Sequence, residues 1–465
     1  MNMGNIPSHK RLTELSLCLE QLTKVLQEPS RLSGADLSVL SNLLQEVNGL
    51  TKPENQDIGR FLTALCNAFE GERSTCSRSK SAGIIPVSTK GARAFFLSSG
   101  KSVRLGSEIA RGGEGAIFRI PDLPGKVAKI FHTQKLPDEQ EQKLKYLRSQ
   151  KQNAFISNTL IASFPDELLY TADGNCCGYI MQYMPTTMNL TLVTRDSVLR
   201  TKALPDLNYR GLIAIAYNLA EAVAHLHRHN IIIGDMNQNN ILVNPDGTIY
   251  LIDANSFDVT DDQGIHYPCC VGLSELLAPE LQGKGPLKDK RFTAESDCFT
   301  LAIHIFRLLM QNTDPFSFIP QVSRSTSVPD VSLNVASNCA IAQGESVFFR
   351  DVPGKELPHW APSLDTLPSY IVELFRRTFA YNGSTALAAI ANRPTAEEWV
   401  AGLAKFYQEP MKPCTCDPFH WYLRRHTECP LCRAKNSPPP IPSEICSHDF
   451  SGVPNLSSPG RGDKL

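Results

Sequence analysis

Two carboxylates and one amide are spaced along IIIGDMNQNNILVNPDGTIYLIDAN, Ile231 to Asn255, so that they can share a cation-bound phosphate. Asp235 stands five positions before Asn240, a turn-forming Asp246-Gly247 follows, and a short apolar strand ends at Asp253. Both ends of one hairpin thus supply oxygen ligands. Carboxylate and amide oxygens suit a divalent cation on phosphates, and the remaining carboxylate can orient an attacking hydroxyl.

Phosphate chemistry needs a cover and a counter-charge, and the chain upstream offers both. Leu105 to Phe118, LGSEIARGGEGAIF, puts Gly112, Gly113 and Gly115 between two alternating apolar runs, a strand-loop-strand pattern. Glycine lets backbone amides approach phosphate oxygens closely. Lys126-Val127-Ala128-Lys129-Ile130-Phe131 follows. Its apolar flanks predict a mostly buried strand, in which Lys129 needs an anionic partner. The next stretch, LPDEQEQKLKYLRSQ, reads as a helix; it offers Glu139 and Glu141 as partners, with Glu141 the choice.

The elements that must hold these groups follow downstream. Ala278-Pro279-Glu280 closes the segment after Asp253. Asp297 opens an apolar helix through Met310, and Asn392-Arg393-Pro394-Thr395 precedes another helix. Five motifs in this order resemble protein kinases. The resemblance implies that Asp297 pins the backbone of the Asp235 loop. It also implies that Glu280 and Arg393 form a buried pair, and that Gly178 to Pro185 is the hinge between two lobes. There Gln182 and Met184 would meet adenine, with Met181 beside it.

The strings GGEGAIF, VAKIF, GDMNQNN and LIDANSF, followed by a terminal cysteine-histidine module, resemble the YegI-type bacterial kinases over about residues 95 to 433. That resemblance implies ATP, magnesium and Ser/Thr phosphorylation of a protein substrate, with a cognate phosphatase as a further partner. The implied catalytic groups are Asp235, Lys129 and Asn237. The implied nucleotide contacts are Gly112, Gly113, Glu114, Gly115, Ala128, Lys129, Gln182, Met184, Asn240 and Asp253, with Asn240 and Asp253 on magnesium. Departures from the common kinase pattern stand at Ala110 (first loop glycine), Gly234 (Arg before the catalytic Asp), Asn237 (catalytic-loop Lys), Asn255 (glycine after Asp253) and Leu273 (a Thr in Ser/Thr kinases). Gly234 and Asn237 favour an alternative, a pseudokinase that binds nucleotide and recruits partners. A small-molecule phosphotransferase is a third reading, opposed by the Ala278-Pro279-Glu280 segment and by the Glu280 and Arg393 pairing.

In the terminal module, Cys414 to Cys432, Cys429-Pro430-Leu431-Cys432 can place two thiolates on one zinc. The YegI-type spacing implies Cys414 and His420 as the other two ligands, with Cys416 and His426 as spares. So short a segment requires metal for its folding energy. His225, His227 and His229 read as helix-end residues, and the pairs Cys176-Cys177 and Cys269-Cys270 as packed thiols rather than redox centres.

The chain has 465 residues, fourteen cysteines and a net charge of −1. Such a balance argues against broad nucleic-acid binding or a polybasic membrane patch. The scattered cysteines suit a reducing cytoplasm, and neither a spanning helix nor a signal core is read. The expected fold is α+β: a two-lobed protein-kinase-like fold with an N-terminal helical extension and a small C-terminal zinc module. The boundaries read are a helical extension at 1–80, a kinase domain at 95–408 (lobes 95–183 and 186–408), a zinc module at 412–434 and a disordered tail at 435–465. Oligomeric state is not legible.

Overall fold

The computed structural model describes residues 94–435, apart from 134, 186, 196, 284, 321–339 and 382–385. The helical extension read at 1–80 and the tail from 436 onward lie outside the described residues.

Period-two alternation builds a seven-stranded antiparallel sheet from β1 (Phe95–Leu97), β2 (Ser102–Val103), β3 (Glu108–Arg111), β4 (Gly115–Arg119), β5 (Lys126–Phe131), β6 (Glu167–Tyr170) and β7 (Cys176–Gln182), in the order β2-β1-β6-β7-β5-β4-β3. Alternate residues of β5 face opposite ways. Ala128 and Ile130 join Phe95, Ala116, Phe118 and Ile180 on one face, while Val127 and Phe131 join Tyr179, Met181 and Leu144 on the other. Helix α1 (Asp138–Ser149) buries Lys143, Leu144 and Leu147.

The second layer is helical. Helix α2 (Tyr209–Arg228) is capped by Asn208, whose side chain accepts from the Gly211 amide. Helix α3 (Ala294–Leu309) starts one turn earlier than its apolar run suggests, because Thr293 and Ser296 form a capping box. It is buried almost all round, as a central helix must be. Helices α4 (Ser369–Phe379) and α5 (Ala396–Gln408) close the layer. Phe306 packs edge to face on Phe375 and Phe379, those two rings stack on each other, and Trp399 is tilted against Phe375 with ring centroids 4.8 Å apart. No described helix is long and apolar enough to cross a membrane.

Candidate active site

Strands β8 (Ile241–Val243) and β9 (Ile249–Leu251) form the hairpin expected around Asp246-Gly247. Gly247 sits at φ +83°, and the Asp246 carboxylate accepts from the Thr248 amide, so the turn residues are matched to their conformations. The hairpin brings its ends together: the Ile252 amide donates to the Asn240 carbonyl at 2.8 Å. Asn240 Nδ2 donates to Asp235 Oδ2 at 3.3 Å, and Asp253 stands next to Ile252 in the left-handed region, φ +65°.

Asp235 is held from behind. Asp297, almost fully buried, accepts from the Ile233 amide at 2.7 Å and the Gly234 amide at 2.9 Å. His227 Nε2 lies 3.0 Å from the same carboxylate. His304 lies 2.7 Å from the Met236 carbonyl, and its burial lowers its pKa to about 3, which keeps it neutral. Reading His227 only as a helix-end residue missed this second role; its spacing to Asp297 is long-range and has no local signal. Burial, then the nearby carboxylates of Asp253 and Glu114, raise the pKa of Asp235 to about 6.

Gly234 occupies the place of the usual arginine for a steric reason. It lies at φ +72°, and a Cβ there would meet Cys269 Sγ at 2.7 Å. Asn237 folds back on its own loop, its Oδ1 accepting from the Asn239 amide at 3.0 Å.

Lys129 enters from the sheet. It is 7% exposed, paired with Tyr179 in the strand register. Its Nζ forms an ion pair with Asp253 Oδ1, donates to Asn255 Oδ1 at 2.7 Å and lies 3.6 Å from Glu114 Oε2. The expected helix acid is a correction. Glu141 accepts from Tyr170 Oη at 3.4 Å and pairs with Lys145 at 2.8 Å, and Glu139 is exposed. The inward position of α1 carries a cation instead: Lys143 donates to the Pro268 carbonyl at 3.1 Å, and burial lowers its pKa.

Gly112 and Gly115 close a tight flap, the Gly112 amide donating to the Gly115 carbonyl at 2.9 Å. A Cβ on Gly115 would meet the Ile130 carbonyl oxygen at 2.5 Å, whereas Gly113 faces open space. Ala128 needs a second correction. It is fully buried on the sheet face opposite Lys129, so strand alternation gives the place beside the lysine to Val127. At the strand end, Met181 shares the Tyr179 face, the Gln182 carbonyl accepts from Tyr250 Oη at 3.3 Å, and the Met184 carbonyl accepts from Thr187 Oγ1 at 3.1 Å.

Arg393 meets Glu280 with both terminal nitrogens, at 2.9 and 3.1 Å. A two-lobed arrangement of this kind, with a flap, a buried strand lysine and a paired loop beneath, invites comparison with known kinases. The protein kinase domain family model matches residues 168–340. Protein kinase YegI of Escherichia coli (strain K12) is 28% identical over 342 residues, 73% of this chain and 50% of that protein. Residues 168–340 thus match a protein kinase domain, and the chain is similar to the YegI kinases. The YegI protein of Escherichia coli O157:H7 matches likewise, 28% over 343 residues, 74% of this chain and 50% of that protein. Serine/threonine-protein kinase sck1 of Schizosaccharomyces pombe (strain 972 / ATCC 24843) is 33% identical over 90 residues, 19% of this chain and 12% of that one. The chain spans about half the length of the YegI relatives it matches. The family match begins at Leu168, after the flap and Lys129, so their assignment rests on the geometry described above.

Beyond the kinase domain, Cys414, His420, Cys429 and Cys432 bring their ligand atoms within 4.8 Å of one another. Cys414 and Cys432 sulfurs lie 3.4 Å apart, and His420 Nδ1 lies 3.3 Å from Cys432 Sγ and 3.7 Å from Cys429 Sγ. A tetrahedral zinc with bonds of about 2.3 Å to sulfur would set such separations at about 3.8 Å, so the donor set fits that ion. Cys416 is exposed, and His426 lies 2.9 Å from the Asp365 carbonyl; neither joins the cluster. Burial raises the pKa of Cys176 to about 11 and of Cys177 and Cys269 to about 12, which makes these thiols inert at neutral pH.

Proposed function

We propose that this chain is an ATP- and magnesium-dependent protein kinase that phosphorylates serine or threonine hydroxyls of protein substrates. The observation that carries the reading is the ion pair of Lys129 with Asp253, in a fold that also hydrogen-bonds Asn240 to Asp235. In this reading Lys129 binds the α and β phosphates and the flap amides at Gly112 to Gly115 cover them. Asn240 and Asp253 would hold magnesium, which supplies charge neutralisation to the transferring phosphoryl group. Asp235 accepts a hydrogen bond from the substrate hydroxyl and orients it; its raised pKa suits a proton acceptor near neutral pH. Asn237 retains its Nδ2 for a phosphate oxygen, a weaker donor than lysine. The backbone of Gln182 and Met184 forms the adenine hinge. Cys414, His420, Cys429 and Cys432 hold a structural zinc, since four protein ligands leave no open position. A cognate phosphatase would reverse the modification.

The non-catalytic alternative drew on Gly234 and Asn237, and each has a local packing reason instead. Incubation with labelled ATP, magnesium and a generic protein acceptor tests the proposal. Label on serine or threonine is expected, and Asp235→Ala should lower its rate by about a hundredfold or more. Equal labelling by the two proteins would refute the assignment.

A further inference from the structure

A buried lysine amine needs partners that stay in place when the cleft is empty. Among the described residues, the inward face of α1 offers Lys143, Leu144 and Leu147 rather than an acid. Besides its ion pair with Asp253, Lys129 meets Asn255, two positions further along and 5% exposed. Its Oδ1 accepts from Lys129 Nζ at 2.7 Å and from Tyr179 Oη at 3.0 Å. Tyr179 is fully buried, so that hydroxyl is a fixed donor. The amide nitrogen is used too, since Asn255 Nδ2 donates to Glu114 Oε2 at 3.0 Å. Glu114 sits in the flap, its side chain 42% exposed. Every polar atom of the Asn255 side chain is thus engaged, and the geometry dictates which partner each takes.

We propose that Asn255 is the positioning residue for Lys129, taking the place of a helix-borne acid, and that the same amide ties the flap down through Glu114. The inference rests on the kinase reading of the site. Its consequence is mechanical. The lysine is registered to the segment that carries Asp253, so its position does not depend on where α1 stands. A carboxylate at this site would hold the lysine but repel Glu114; the amide serves both, because it accepts on one side and donates on the other.

Two measurements on the full chain test it. The first is labelling of Lys129 by an amine-acylating ester in the nucleotide-free protein, read by mass spectrometry. Asn255→Ala should raise labelling at Lys129 and leave other described lysines unchanged, whereas Asn255→Asp should keep Lys129 protected. The second is phosphotransfer. Asn255→Ala should raise the KM for ATP about tenfold or more, the worth of one hydrogen bond to a charged group, with the acceptor KM unchanged. Asn255→Asp should restore only part of that KM, because its carboxylate holds the lysine but loses the tie to Glu114 in the flap. Unchanged labelling at Lys129 in Asn255→Ala would overturn the proposal, as would equal loss in ATP KM, acceptor KM and melting temperature. A parent protein that transfers no phosphate would instead overturn the kinase reading, and the labelling comparison would still judge Asn255.

Discussion

The function proposed for Asp235 comes with a cost. Its carboxyl is raised to about 6 by burial and by the charges of Asp253 and Glu114. A carboxyl whose pKa is higher folded than unfolded stabilises the fold at acid pH, below its unfolded value, and that stability is lost as pH rises through about 6. At neutral pH the ionised group is therefore a burden of about 1–3 kcal/mol. Asp235→Asn should raise the melting temperature at pH 7.5, show little gain at pH 4, and abolish phosphotransfer; thermal melts at the two pH values check this. In the parent, the phosphotransfer rate should fall as pH drops below about 6, as the orienting carboxylate takes up its proton. Gly234 makes the complementary point. What looks in the sequence like a lost arginine is a backbone position at positive φ against Cys269, so even alanine is excluded there on steric grounds.

Element scale is where the Asp235 loop gains its rigidity. Helix α3 anchors it at three levels: Asp297 on the Ile233 and Gly234 amides, His304 against the Met236 carbonyl, and Arg307 Nη1 donating to Gln238 Oε1 at 2.8 Å. The N-terminus of that helix is held in turn, because Arg393 Nη1 also donates to the Glu295 carbonyl. Arg393 is 5% exposed and its guanidinium lies 5.2 Å over the Phe299 ring. Removing its carboxylate leaves a buried cation without its charge partner. Glu280→Ala should therefore cost about 3 kcal/mol, at the lower end for buried pairs because Glu280 keeps some solvent contact. Denaturant unfolding measures this, and a change below about 0.5 kcal/mol, the scale of an exposed pair, would contradict it.

At the scale of the described molecule, α3 also leads from the Asp235 loop to the cysteine-histidine cluster. Just past its end, Gln311 at φ +52° places its amide 3.1 Å from His420 Nε2 and donates to the Leu431 carbonyl at 3.4 Å. A ligating histidine commonly has its second nitrogen fixed by such a partner. Purified chain is expected to hold about one zinc, and a chelator should lower its melting temperature, because the metal supplies the module's folding energy. Metal analysis beside thermal melts tests this; a metal-free chain with an unshifted melt would remove the zinc assignment. Cys432→Ser should reproduce the chelator's effect.

Residue spacing alone determined the hairpin of Asn240 and Asp253 and the flap, because both are written in local turn chemistry, whereas the anchoring role of Asp297 and the Glu280 and Arg393 pairing were implied by the resemblance to kinases. The patterns read at LPDEQEQKLKYLRSQ and from Asp297 to Met310 placed α1 and α3 within a turn of their observed bounds, missing at α3 what the cap at Thr293 adds. Tertiary structure decided the rest. Which acid serves Lys129 depends on how α1 rotates against the sheet, and it presents Lys143, not Glu139 or Glu141. Which neighbour of Lys129 shares its face depends on the strand pleat, and it is Val127, not Ala128. Asn255, 126 positions from Lys129, has no local signal that could pair the two. Contacts of that range are set by packing between elements, and a linear pattern does not carry the angle at which two elements meet.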